Sequence, residues 1–202
     1  MDQTAQPSVP LLTLPNLLTL SRIACVLPIA LLLLPEEGWA RWSAFALMVV
    51  ASLTDWADGY LARRRAQVSP LGRFLDPIAD KLLVVAVLIV LLAIGDLSGW
   101  ETLGVIAILS REILISGLRE YMSGEGVTVH VTKLAKWKTT VQLAAVALLI
   151  LVPVLTPIWG AWVPWAAGAV FWLSAVLTVI TGWDYVKGGL AHMRLAPKPP
   201  QD

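Results

Sequence analysis

The sequence is short of the residues on which soluble domains and transition-metal sites depend. It has one cysteine and two histidines in 202 residues, which excludes an internal disulfide and leaves no zinc or redox motif. Cys25 lies in an apolar run and reads as a small buried hydrophobe. Charged residues make up only 14% of the chain, too few to coat a soluble domain of this size. The net charge of +1 gives no indication of a nucleic-acid partner. No basic stretch precedes the first apolar run, and that run contains Arg22, so a cleaved signal peptide is not expected. No period of 20 to 50 residues recurs, which excludes a solenoid. What the chain does have is 57% apolar residues and ten tryptophans, with a mean hydropathy of +0.75. That composition describes one polytopic membrane domain.

Six apolar segments approach the length of about 20 residues that a bilayer requires. They are Leu17 to Leu34, Trp39 to Leu61, Ile78 to Ile94, Trp100 to Met122, Trp137 to Val152 and Trp162 to Trp183. Between them stand Pro35-Glu36-Glu37-Gly38, Gly95-Asp96, Gly124 to Gly126, and Pro153 through Pro157, all of which read as breaks. Trp39, Trp42, Trp100, Trp159, Trp162 and Trp165 gather beside the breaks of one side, as an interfacial belt would. Twelve of the fifteen Lys and Arg lie at or beyond the ends of the second, fourth and sixth segments. Only Arg41 is assigned to the opposite loops. The positive-inside rule then puts both termini in the cytoplasm. The expectation is an all-α integral membrane protein with six transmembrane helices around a cytoplasm-facing polar cavity. Its parts are an N-terminal segment 1–14, a six-helix domain 15–189 and a disordered tail 190–202.

The chain is organised around Asp55 to Asp80, DWADGYLARRRAQVSPLGRFLDPIAD. A single D-x2-D pair is usually a solvated helix face, but this stretch fills eight fixed positions: Asp55, Asp58, Gly59, Ala62, Arg63, Gly72, Asp76 and Asp80. On helices, Asp55 and Asp58 share one face, and Asp76 and Asp80 share another. Four carboxylates gathered in one dry place repel one another until some are protonated or a cation balances them. With oxygen donors and no nearby His or Cys, the cations that fit are Mg²⁺ or Mn²⁺. Arg63, one turn beyond Gly59, is placed to clamp a diphosphate. Gly59 and Gly72 allow close backbone approach of a planar base and ribose, although small residues also serve helix packing, as for Ala62. Arg64 and Arg65 suit anionic lipid headgroups.

Other charges also sit where lipid would penalise them. In PNLLTLSR, Thr19 and Arg22 stand three residues apart. Arg22 needs either an anion or a snorkelling position at the interface. In SREILISGLREYM, Glu112 and Arg119 share a face, with Arg111 about a quarter turn away. In HVTKLAKWKTT, Lys133, Lys136 and Thr140 line one face and Lys138 points away from it. So many cations exceed the need of a diphosphate and suit an acceptor that carries its own phosphate; a cationic alcohol would be repelled.

The Asp55–Asp80 pattern resembles the signature of the CDP-alcohol phosphotransferase family at every specified position. The resemblance implies an enzyme with two Mg²⁺ or Mn²⁺ ions on Asp55, Asp58, Asp76 and Asp80, with Asp80 also the general base and Asp55 and Asp76 bridging the ions. CDP-diacylglycerol is the implied donor, held by Thr19, Arg22, Gly59, Ala62, Arg63, Ser69 and Gly72, with CMP released. ADKLL, SREILISGLRE, KLAKWKTT and TGWDYVKGG are similar to the members whose acceptor is sn-glycerol 3-phosphate, and Arg111, Arg119, Lys133 and Lys136 are assigned to that acceptor. Members acting on phosphatidylglycerol or an inositol phosphate are the nearest alternatives. A homodimer among membrane lipids is also implied. Trp56, Asp184 and Tyr185 receive no role. A divalent-cation carrier would need polar groups along a whole transmembrane pathway, and a passive scaffold would not need Asp80.

Overall fold

The computed structural model describes residues 14–65, 70–124 and 133–195. Within them, the side chains of 14–15, 55–65, 70–71, 73, 76, 80, 133, 135–136 and 191–195 are outside the description. All six expected segments are helical: α1 Leu14–Leu33, α2 Gly38–Arg65, α3 Pro70–Ala93, α4 Glu101–Gly124, α5 Lys133–Trp159 and α6 Trp162–Leu195. Among the described residues there is no strand. Three stretches are long and apolar enough to cross a membrane: Asn16–Leu33, Trp137–Trp159 and Trp162–Leu190. The chain is therefore a membrane protein. The other three helices carry more charges: α2 and α3 the aspartate motif, and α4 Arg111 and Glu112 at mid-length. The helices group into two compact units that divide within α3, at Val90 and Leu91.

In the first unit α1 and α2 pack as a hairpin turned through residues 34–37. The Glu37 carbonyl accepts from the Ala40 and Arg41 amides at 3.0 and 3.3 Å, starting α2. Ala40, Ala44, Met48 and Ala51 recur every three or four residues and are buried, as are Ile29 and Leu33 on α1. Small side chains along such a face let two backbones approach closely. Arg41, expected in an outer loop, is instead the fourth residue of α2 and is buried.

In the second unit α5 and α6 form a hairpin, and α4 packs along α6. Gly160, at φ 97°, accepts the left-handed conformation that ends α5, and its amide reaches the Thr156 carbonyl at 2.9 Å. The expected break at Pro153–Pro157 is a correction, because both prolines lie inside α5. Proline removes an amide donor, but a helix held by a neighbour tolerates the loss. Nearby, the Thr156 hydroxyl donates to the Val152 carbonyl at 2.7 Å.

The register of α4 against α6 is fixed by three glycines. A Cβ on Gly104 would lie 2.7 Å from the Phe171 ring, one on Gly182 2.8 Å from Arg111 Cγ, and one on Gly189 2.7 Å from Leu118 Cδ1. The partners rise together along both helices, so α4 and α6 run parallel. On α4 they fall at 104, 111 and 118, a two-turn step typical of left-handed helix packing. Gly188 and Gly189 accordingly do not stop α6, which continues past the expected domain end at 189 as far as Leu195. Trp39, Trp42, Trp100, Trp159, Trp162 and Trp165 are all exposed at helix ends, as interfacial residues are.

Candidate active site

The acid pairs are carried by α2 and α3. Asp55 lies ten residues before the end of α2, and Asp80 ten residues after the start of α3. Asp58 and Asp76 stand seven and six residues from the same ends. The four side chains lie outside the described residues, as do those of Ala62 and Arg63; Ser69 lies outside them altogether. Among the described residues no three His, Cys, Asp or Glu form a metal site.

The α1–α2 hairpin adds a second layer of polar groups. Asn16 lies 17 residues before the end of α1, and Asp55 lies 17 residues after the start of α2. At 1.5 Å per residue both are about 26 Å from the turn, so the start of α1 is level with the motif in α2. There Asn16, Thr19 and Arg22 are 1, 2 and 3% exposed. Their three-residue spacing makes one polar stripe, which continues the face that buries Ile29 and Leu33. Arg22 is therefore an interior arginine and does not snorkel to an interface. Gly72, near the start of α3, is also buried.

The second unit holds a cluster of charged groups in its interior. Glu112 is buried on α4, and its Oε1 accepts from Arg111 Nη1 at 3.3 Å and from Lys138 Nζ of α5. Lys138 is 3% exposed. Arg111 also donates from Nη2 to Thr181 Oγ1 at 3.4 Å and lies over the Tyr185 ring, 5.9 Å from its centre. Thr181 can accept because its own hydroxyl donates to the Leu177 carbonyl at 2.7 Å. Tyr185 is buried with Ile115. Gly182 gives the Arg111 stem room to pass α6. The guanidinium is thus restrained by a carboxylate, a hydroxyl and an aromatic face.

Of the residues assigned from sequence to the acceptor, Arg111 is in this cluster and Arg119 is exposed two turns further along α4. Lys133 and Lys136 lie in the first turn of α5, with side chains outside the described residues. Lys138 does leave the face of the exposed Thr140, as the spacing requires, and it turns inward to Glu112. Sequence reasoning missed this pair, along with Thr181 and Tyr185. The available signal was Glu112 itself, since an acid in the middle of an apolar helix needs a cation.

Comparison with known proteins defines the class first. Residues 12–180 match the family described as CDP-alcohol phosphatidyltransferase, which makes this helical membrane chain a transferase. Similar proteins include the CDP-diacylglycerol–glycerol-3-phosphate 3-phosphatidyltransferase of Cereibacter sphaeroides, 35% identical over 215 residues, spanning 90% of this chain and 97% of the relative. The Rickettsia bellii protein of the same name is 41% identical over 174 residues, 86% of this chain and 93% of its own. That of Escherichia coli K12 is 38% identical over 182 residues, 89% and 96% of the two chains. The chain belongs to the CDP-alcohol phosphatidyltransferase family.

Proposed function

We propose that this protein transfers the phosphatidyl group of CDP-diacylglycerol to sn-glycerol 3-phosphate, giving phosphatidylglycerophosphate and CMP. The observation that carries the reading is similarity over nearly the whole chain to relatives named for that reaction. The basic cluster supports the choice of acceptor, because a restrained interior guanidinium suits a phosphate-bearing alcohol and disfavours a cationic one.

In this reading all six helices span the bilayer, both termini are cytoplasmic, and the active site opens to the cytoplasm. A short connection, residues 66–69, joins α2 to α3. Packed as a hairpin, these helices would bring the two acid pairs level, since the pairs stand nearly equidistant from the connection. Four carboxylates at one level are a donor set for Mg²⁺ or Mn²⁺ and fit no softer ion. When bound, two such ions would neutralise Asp55, Asp58, Asp76 and Asp80 and polarise the phosphorus under attack.

The protein's own groups do the rest. Arg63 and Arg22 hold the donor diphosphate, with Thr19 beside Arg22 as a hydroxyl partner, while the acyl chains stay in lipid. Gly59, Ala62, Ser69 and Gly72 line the nucleotide. Arg111, Arg119, Lys133 and Lys136 draw in the acceptor phosphate, which orients the glycerol for in-line attack. Asp80 removes the proton of the attacking hydroxyl. The acceptor oxygen bonds to the phosphorus that carries diacylglycerol, the bond to CMP breaks, and CMP leaves with its electron pair.

The test is CMP release by purified protein with CDP-diacylglycerol and Mg²⁺ or Mn²⁺, comparing sn-glycerol 3-phosphate, an inositol phosphate, phosphatidylglycerol and uncharged alcohols. Release with glycerol 3-phosphate at least ~100-fold faster than with the others is expected, the discrimination a site built for a polar group achieves. Faster release with another acceptor would keep the aspartate motif as the engine and reassign the basic cluster.

A further inference from the structure

We infer that Lys138 is a specificity-determining positioning residue: by sharing the carboxylate of Glu112, it keeps Arg111 effectively cationic toward the acceptor's phosphate. This rests on the reading of Arg111 as part of the acceptor site and adds to it a residue outside the assigned set.

Arg111 and Glu112 are neighbours in sequence, and their side chains meet at 3.3 Å. Left to themselves they would form a neutral pair, and an approaching phosphate would gain little from it. Lys138 binds the same carboxylate oxygen, Oε1, so the three groups together carry one net positive charge. Both cations are well removed from water, with side-chain exposures of 13% for Arg111 and 4% for Lys138. The remaining partners of Arg111, the Thr181 hydroxyl and the Tyr185 ring, are neutral; they orient the guanidinium without cancelling its charge. Interior electrostatics are weakly screened, so the presence of the second cation registers strongly at Arg111. Lys138 touches no substrate in this arrangement. Its effect reaches the acceptor through Glu112 and Arg111.

The experiment measures KM for glycerol 3-phosphate and, separately, KM for CDP-diacylglycerol, using full-length protein in lipid nanodiscs. Lys138→Met should raise the acceptor KM about 30-fold, the low end of the range seen when one member of a buried charge pair is removed. The donor KM should stay unmoved, and kcat at saturating acceptor should change much less than KM. Adding Glu112→Gln to Lys138→Met removes the acid that had captured Arg111, so the acceptor KM should return to within about 3-fold of the parent, a non-additivity that reports direct coupling. A pair acting only as a brace between α4 and α5 would show no such rescue. An unchanged acceptor KM in Lys138→Met, a parallel rise for both substrates, or a double variant as impaired as the single would each overturn the inference. Should Lys138→Met fail to fold, Lys138→Gln takes its place, because it keeps a hydrogen-bond donor toward Glu112 without the charge: a raised acceptor KM supports the inference and an unchanged one overturns it. Arg111→Gln separates the two claims. If it leaves the acceptor KM unchanged, the acceptor-site reading itself is wrong; if it raises KM while the Lys138 variants do not, only the role of Lys138 falls.

Discussion

Asp80→Asn should lower the rate of CMP release by at least about 10³-fold while leaving CDP-diacylglycerol binding measurable, a loss within the range a positioned general base contributes. The substitution keeps the size of the side chain and one carbonyl oxygen, so α3 and its neighbours have no reason to rearrange. It removes the one property the proposed step requires, the capacity to take a proton from the acceptor hydroxyl. In the proposed mechanism donor binding draws on groups spread over α1, α2 and α3: Thr19 and Arg22, which are buried, Arg63 and the other three aspartates. The loss of one negative charge should leave most of that intact. Two measurements check the expectation together: CMP release at saturating substrates, and the rise in unfolding temperature when CDP-diacylglycerol is added. A variant that keeps a tenth or more of the parent rate removes Asp80 as the base. One that loses the thermal response along with the rate makes Asp80 chiefly a metal-site residue.

The motif was legible in the sequence because it is local. Four aspartates, two glycines and an arginine at fixed offsets announce the family without knowledge of the fold, and the apolar segments announce their helices by length. Helix ends were harder. Pro153 and Pro157 read as a break, yet α5 passes through both to Gly160. Likewise the sixth apolar segment ends at Trp183, yet α6 runs on through Gly188 and Gly189 to Leu195, and at Gly189 the missing side chain is what admits Leu118. In each case packing against a neighbouring helix overrides a local propensity, and packing is not written in any short window. The same limit hid the Glu112–Lys138 pair. Its members are 26 residues apart on different helices, and only the fold brings them together. Tyr185 shows the limit most directly: no spacing rule on α6 alone could reveal that its ring lies beneath Arg111.

The parallel seam of α4 and α6 holds that cluster in place, and Gly104→Val should show how tightly. A Cβ at Gly104 already falls 2.7 and 2.8 Å from two carbons of the Phe171 ring, before the extra methyl groups of valine are counted. Phe171 has no exposed surface, and a ring enclosed on all sides has nowhere to turn. Overpacking of this kind costs about 3 kcal/mol. For a chain of this length that corresponds to a fall of roughly 6–12 °C in unfolding temperature. Gly189→Ala makes a useful contrast, because the atoms it meets are the terminal methyl groups of Leu118, which is only partly buried. A leucine end can rotate away, so a fall of no more than roughly 4 °C is expected there. Phe171→Leu combined with Gly104→Val should recover part of the lost stability, since the smaller side chain vacates the space the valine enters. Tryptophan fluorescence during thermal unfolding in detergent reads all three variants. If Gly104→Val unfolds within about 2 °C of the parent, less than even 1 kcal/mol of overpacking would give, then α4 and α6 are not in contact at Phe171. The register that places Arg111 beside Thr181 and Gly182 would then lose its upper anchor.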